Sequence, residues 1–379
     1  MSFFSQTILT WYSHHRRNLP WRNTTDPYRI WISEIILQQT RVSQGYDYFL
    51  RFMERFPDVQ TLAEAPEDEV MRLWQGLGYY SRARNLHTAA KSICEKQSAT
   101  GHHVINDLAK SEGGKMVSQN SEEEVESLFP KSFEEVRALK GVGDYTAAAI
   151  CSFAYNMPCA VVDGNVYRVL ARYFGVHEPI DTTRGKKLFA ALAQDQLDRS
   201  CPADYNQAIM DFGALVCTPL SPSCISCSLA ESCEALRSHQ VEILPVKEKK
   251  LVPKTRYFHY LWIKTGDNTF IHKRIERDIW QNLYELPVVE SDHQLTPPEL
   301  LNAIRSHIAE GEEAHLTLIQ QGVKHVLTHR IIMTDFYQLI LLGGTRSFAT
   351  YQQVKIGQLA DYAFPRLITN FIEHLPVDV

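Results

Sequence analysis

From residue 5 to about 237 the apolar positions recur at three- and four-residue intervals in short runs, the period of helices that bury one face. Start signals separate the runs. Asp26-Pro27 precedes YRIWISEIILQQ, Pro66 precedes EDEVMRLW, and Ser132 with Glu135 forms a capping-box pattern before VRALK. This body is predicted to be helical throughout. Between about 98 and 130 the pattern lapses into a polar run with six acids against Lys110 and Lys115, which reads as a solvated insertion or mobile loop. After the helical body, LPVKEKKLVPKTR carries Lys247, Lys249, Lys250, Lys254 and Arg256 with two prolines and reads as an extended linker. Beyond it, alternation takes over in YFHYLWIKT, NTFIHKR, HLTLIQQ and HVLTHRIIMTDFYQLILL, with helical PPELLNAIRSHIA between them and AFPRLITNFIEHL at the end. A second domain of α+β or mixed type is predicted there, and no tandem repeat is visible.

A chain of 379 residues has room for two or three domains, and 44% hydrophobic with 22% charged residues excludes wholesale disorder. The net charge of −5 gives no global footprint for nucleic acid and by itself points to a metabolic enzyme. Its distribution weakens that inference. Residues 1–237 carry 24 basic and 28 acidic groups, but 98–130 holds 2 and 6 of them, which leaves 22 of each on the rest of the body. No run approaches the ~18 apolar residues of a membrane span, and MSFFSQTILTWYSHHRR lacks a basic region ahead of an apolar core. A cytoplasmic or nuclear protein is expected, cytoplasmic and nucleoid-associated in a bacterium, nuclear or mitochondrial in a eukaryote.

Four of the eight cysteines fall within seventeen residues, spaced Cys217-x6-Cys224-x2-Cys227-x5-Cys233. Disulfides are not expected in a reducing compartment, and four thiolates suit zinc or an iron–sulfur cluster. Zinc sites ordinarily pair two tight C-x2-C knuckles, and only one is present here. Unliganded buried cysteines are the plain alternative. Upstream, Gly141-Val142-Gly143 separates a capped helix from a small-residue helix, where free backbone N–H groups at a helix start suit an anion. A simple joining turn fits the same residues. Asp163 reads as the N-cap of NVYRVLARYF, and a cap would keep it ionised. Glu34 lies among Trp31, Ile32, Ile35, Ile36 and Leu37. It either faces solvent or faces a pocket, where desolvation would raise its pKa and make it a proton donor.

The cysteine spacing resembles the iron–sulfur loop of the endonuclease III superfamily of DNA glycosylases, and L-x-G-V-G resembles that superfamily's helix–hairpin–helix. The words LPWR, SEIILQQTRV, WQGLGYYSRARNLH, GVG, VDGNVYRVLAR and FGALVCTP, in this order over roughly residues 5–237, resemble its adenine-specific branch. The resemblance implies a mostly α N-terminal region holding a [4Fe–4S] cluster on Cys217, Cys224, Cys227 and Cys233, followed by an α+β Nudix-like domain. It divides the chain into a helical glycosylase region at 1–237, a linker at 238–256 and a lesion-recognition domain at 257–379. Within 1–237 it places a six-helix barrel at 21–140, and an iron–sulfur subdomain formed by 1–20 with 141–237. It further implies hydrolysis of the N-glycosidic bond of adenine mispaired with 8-oxoguanine or guanine in double-stranded DNA, by a monomer with no membrane partner.

Carried over by position, Glu34 is the acid that protonates adenine N7 and Asp163 stabilises the sugar cation, with Asn165 and Tyr145 in support. The bifunctional members have lysine where this chain has Tyr145, so the resemblance implies a monofunctional enzyme. Tyr145 could hydrogen-bond Asp163 and orient it, or merely pack. Gln39, Thr40, Leu77 and Tyr79 match positions that wedge into the base stack or touch the mispair, Trp21, Arg22 and Gln207 match the adenine pocket, and Gly141, Val142 and Gly143 match the phosphate grip. Ordinary packing is the alternative for each. The family's lesion-reading loop has Phe-Ser-His, where this chain has Leu327-Thr328-His329. Thr328 and His329 keep the polar groups, while Leu327 puts stacking on the lesion in question. His329 could equally be an ordinary strand residue. No stretch has the spaced glycine and multiple glutamates of a Nudix metal site, so binding without hydrolysis is expected there. A thymine or oxidised-pyrimidine glycosylase on the same scaffold, and a non-enzymatic iron–sulfur mismatch binder, are the competing readings.

Overall fold

The computed structural model describes residues 1–99, 128–248, 252–342 and 348–375. The insertion expected at 98–130 therefore lies, from 100 to 127, outside the described residues, as do Lys249 and Lys250 of the linker. The chain divides into two compact units, Met1–Ala65 with Asn85–Lys249, and Pro66–Arg84 with Lys250–Val379.

The helices run in the order α1 (Phe3–His15), α2 (Pro27–Leu37), α3 (Val42–Arg55), α4 (Val59–Glu64), α5 (Glu67–Leu73), α6 (Ser81–Ala99), α7 (Phe133–Ala138), α8 (Asp144–Tyr155), α9 (Gly164–Phe174), α10 (Thr183–Gln196), α11 (Pro202–Leu215) and α12 (Glu234–Arg237). The expected start signals operate. Asp26 caps α2 with Pro27 at its first position, Pro66 precedes α5, and Ser132 and Glu135 exchange both bonds of a capping box on α7. In the first unit α1, α9, α10 and α11 enclose one core through Phe4, Ile8, Val169, Leu170, Phe189, Ile209 and Phe212. α2 packs on α8, and α11 packs on α8 and α9. Gly213 permits the approach of α11 to α9, because a Cβ there would sit 2.7 Å from Asn165 Cβ.

The second unit contains a four-stranded sheet in the order β4 (Val288–Ser291), β1 (Lys254–Trp262), β6 (Arg330–Leu342), β5 (Glu313–Val326), in which β1 and β6 are parallel and the other pairs antiparallel. A smaller sheet joins β3 (Tyr284–Glu285), β2 (Asn268–Lys273) and β7 (Gln352–Lys355). Helices α13 (Pro297–Ala303) and α14 (Arg366–Glu373) complete it. The run HVLTHRIIMTDFYQLILL is not one strand: β5 ends at Val326, residues 327–329 form the hairpin tip, and β6 begins at Arg330. The segment Pro66–Arg84 belongs to this unit through bonds such as Gln75 Nε2 to Thr369 Oγ1 at 2.7 Å, and Lys273 paired with Asp68.

Candidate active site

Glu34 occupies the buried face of α2, a helix nearly all of whose positions are covered. It opens on a cavity of about 180 Å³ that Trp21, Arg22, Thr40, Tyr145, Asp163, Asn165 and Gln207 also line. That volume is comparable to the ~150 Å³ cavity that accepts one benzene ring, so one flat heterocycle fits. Burial pushes the Glu34 carboxyl up to about 7, and Asp163 adds to the rise, while the Tyr145 hydrogen bond and the Arg22 charge pull the other way. A carboxyl in that range donates a proton near neutrality.

Tyr145 OH donates to Glu34 Oε2 at 2.8 Å. Its partner is therefore the glutamate, and not Asp163 as the sequence had suggested. Burial drives the phenol far above its usual range, so it remains a donor. Asp163 is the N-cap of α9: its Oδ1 accepts from the Asn165 and Val166 N–H groups at 2.9 and 2.8 Å, and Oδ2 accepts from Asn165 Nδ2 at 2.8 Å. The cap alone argues for a lowered pKa, yet the net direction is upward. Burial outweighs the three hydrogen bonds, and Arg168 also favours the charged form. Arg168 Nη2 in turn donates to Asn165 Oδ1 at 2.8 Å, which fixes the amide that faces Asp163.

Arg17, which lines the cavity, and Asp211 and Tyr12, which bond lining residues, had no sequence signal. Arg17 and Arg22 both bond Asp211, a fully buried carboxylate on α11, and Tyr12 OH donates to Gln207 Oε1 at 2.8 Å. Their partners lie some 190 positions away along the chain, a distance no local pattern spans. The remaining expected residues lie elsewhere. Gln39 does not line the cavity; it is exposed in a left-handed turn at φ 56°. Leu77 is buried, and Tyr79 is half-exposed at φ 47° with its hydroxyl bonded to Thr328 Oγ1. Thr328 and His329 are exposed on the hairpin tip, so His329 is not a strand residue. Gly141 adopts φ 82° and Gly143 is the N-cap of α8, with Val142 buried between them.

Cys217, Cys224, Cys227 and Cys233 all face one small cavity beside Arg172, whose Nη1 lies 3.5 Å from Cys217 Sγ. Among the described residues no group of three or more His, Cys, Asp or Glu side chains is placed to hold a single metal ion. One zinc would require the sulfurs to converge on a point. Four thiols lining one cavity are a donor set of the kind that zinc or an iron–sulfur cluster takes. Among the described residues no helix is long and apolar enough to cross a membrane.

Glu34 and Asp163 thus share one ring-sized cavity in a helical body that also carries the Gly141–Gly143 turn. The family model for HhH-GPD superfamily base excision DNA repair proteins matches residues 32–193, and a NUDIX domain model matches 259–374. The solved structure of a thermostable thymine-DNA glycosylase superposes with a TM-score of 0.51 at 27% identity, covering 62% of this chain and 95% of that one. The adenine DNA glycosylase of Buchnera aphidicola (subsp. Baizongia pistaciae) is 35% identical over 75% of this chain and 73% of its own, and that of Homo sapiens is 36% identical over 64% and 41%. The chain belongs to the adenine DNA glycosylase family and is a DNA N-glycosylase of base-excision repair.

Proposed function

We propose that the protein hydrolyses the N-glycosidic bond of adenine mispaired with 8-oxoguanine or guanine in double-stranded DNA, acting as a monomer without strand cleavage. The observation that carries this is Glu34, buried, raised to about 7 and held by Tyr145 across the cavity from Asp163. Adenine flipped from the stack enters the cavity, at a cost of a few kcal/mol that a mispair reduces. Neutral Glu34 protonates N7, so the base departs uncharged, and the carboxylate of Asp163 stabilises the oxocarbenium-like sugar until water adds. Asn165 fixes Asp163, while Trp21, Arg22, Thr40 and Gln207 form the base pocket. No lysine amine stands at Tyr145 to form a Schiff base with the sugar, which supports monofunctional chemistry.

Gly141, Val142 and Gly143 grip a phosphate, and Leu77 and Tyr79 act with Gln39 on the opened stack. Thr328 and His329 read the lesion opposite adenine. Cys217, Cys224, Cys227 and Cys233 would hold a [4Fe–4S] cluster, which when bound supplies a cross-link among the thiolates of the 217–233 loop. The test incubates full-length protein with duplexes containing A opposite 8-oxoguanine, A·G, T·G and thymine glycol, and identifies the released base. Adenine from the first two, with the strand intact before alkali, supports the proposal. Preferential thymine release, the activity named for the superposable structure, would support the pyrimidine reading instead. Binding without release of any base would leave a mismatch binder.

A further inference from the structure

Asp211 has no part in the chemistry above, yet it is fully buried and bonded to two arginines that line the cavity. Its Oδ1 accepts from Arg17 Nε at 2.8 Å and from Arg22 Nη2 at 2.8 Å, and further contacts to both guanidinium groups complete the set. Burial pushes this carboxyl up, but the two arginines overcome it and hold it below its usual value. It stands one helical turn beyond Gln207 on α11, the residue through which that helix lines the cavity's polar side. Arg17 and Arg22 come from the irregular segment 16–26, which also supplies Leu19 and Trp21 to the lining. One buried carboxylate thus ties a wall of the cavity to a helix distant in sequence.

We propose that Asp211 is a positioning residue that pins Arg22 in the cavity wall and sets how strongly this guanidinium bears on Glu34. The inference deepens the reading of Glu34 as the proton donor and rests on it. Glu34 is faced by Tyr145 from α8, by Asp163 at the start of α9 and by Arg22 from the loop, and Arg17, bonded like Arg22 to Asp211, completes the charged lining. With Asp211 in place, the Arg22 charge is shared with a buried anion. Once that anion is removed, the carboxylates left to Arg22 at the cavity are Glu34 and Asp163, and its charge favours the ionised form of Glu34 more strongly. Removing the guanidinium has the opposite effect.

The experiment measures the pH dependence of single-turnover adenine release from an A·8-oxoguanine duplex for the full-length wild type, Asp211→Asn, Asp211→Glu and Arg22→Gln. The wild-type rate should fall as pH rises through about 7, where Glu34 loses its proton. The midpoint should move down by about one unit in Asp211→Asn and up by about half a unit in Arg22→Gln, and return near the wild type in Asp211→Glu. Displacements of opposite sign mark electrostatic control, which a packing role would not produce. Unmoved midpoints in Asp211→Asn and Arg22→Gln, with only a smaller active fraction or lower thermal stability, would overturn the proposal while leaving the acid reading intact. If Asp211→Asn does not fold, a midpoint unmoved or lowered in Arg22→Gln overturns it equally. A wild type that releases adenine with no falling limb near pH 7 would sink the acid reading itself, and this inference with it.

Discussion

Glu34 shows what burial does to one carboxyl. Its folded-state pKa of about 7 lies above the ordinary 4.5, so between these values the native chain binds more protons than the unfolded chain, and stability falls as pH rises through that window. The cost of keeping the carboxylate at high pH is about 3 kcal/mol. Glu34→Gln should therefore melt at a higher temperature than the wild type at pH 8 and lose most of that advantage at pH 4.5, as thermal melts at the two pH values would reveal. Tyr145→Phe removes a donor that favours ionised Glu34, so the falling limb of the excision profile should move up by about one unit. An unmoved limb would show that the phenol only packs. Glu34 and Asp163 stood out because a Glu in an apolar run and an Asp before a helix are local signals, and only the family resemblance attached the proposed roles to them. Their partners were not. The Tyr145 bond to Glu34 spans 111 positions and the Arg22 bond to Asp211 spans 189, and no period or motif encodes contacts at such range.

At the scale of elements, the capped helices formed where their start residues indicated, because a cap depends on its own side chain and the next three residues. The hairpin within HVLTHRIIMTDFYQLILL was hidden, since its apolar positions run on through the tip with no glycine or proline to mark it. The α7–α8 turn is testable. Gly141 has φ 82°, and a Cβ would sit 2.7 Å from Asn85 Cβ. Gly141→Ala should cost about 1–2 kcal/mol locally and weaken binding of matched and mispaired duplexes alike in a titration. Weakening confined to the mispair would show that the turn reads bases and does not grip the backbone.

For the whole molecule, the charge of −5 was a poor guide, because acids concentrated at 98–130 masked a balanced helical body. The grouping of Pro66–Arg84 with the C-terminal unit was invisible in the sequence, where the segment continues the helical pattern. It places Tyr79 and Thr328 within one unit, hydrogen-bonded to each other. Thr328→Val should reduce the preference for adenine opposite 8-oxoguanine over adenine opposite guanine roughly tenfold, the equivalent of ~1.4 kcal/mol for one polar contact, in competition assays. In the proposed chemistry this fold releases adenine by proton donation from Glu34. Single-turnover excision on an A·8-oxoguanine duplex by Glu34→Gln, with binding measured on the same duplex, isolates that step. Adenine release should fall at least ~100-fold with mispair binding retained; release at the wild-type rate would rule out Glu34 as the proton donor.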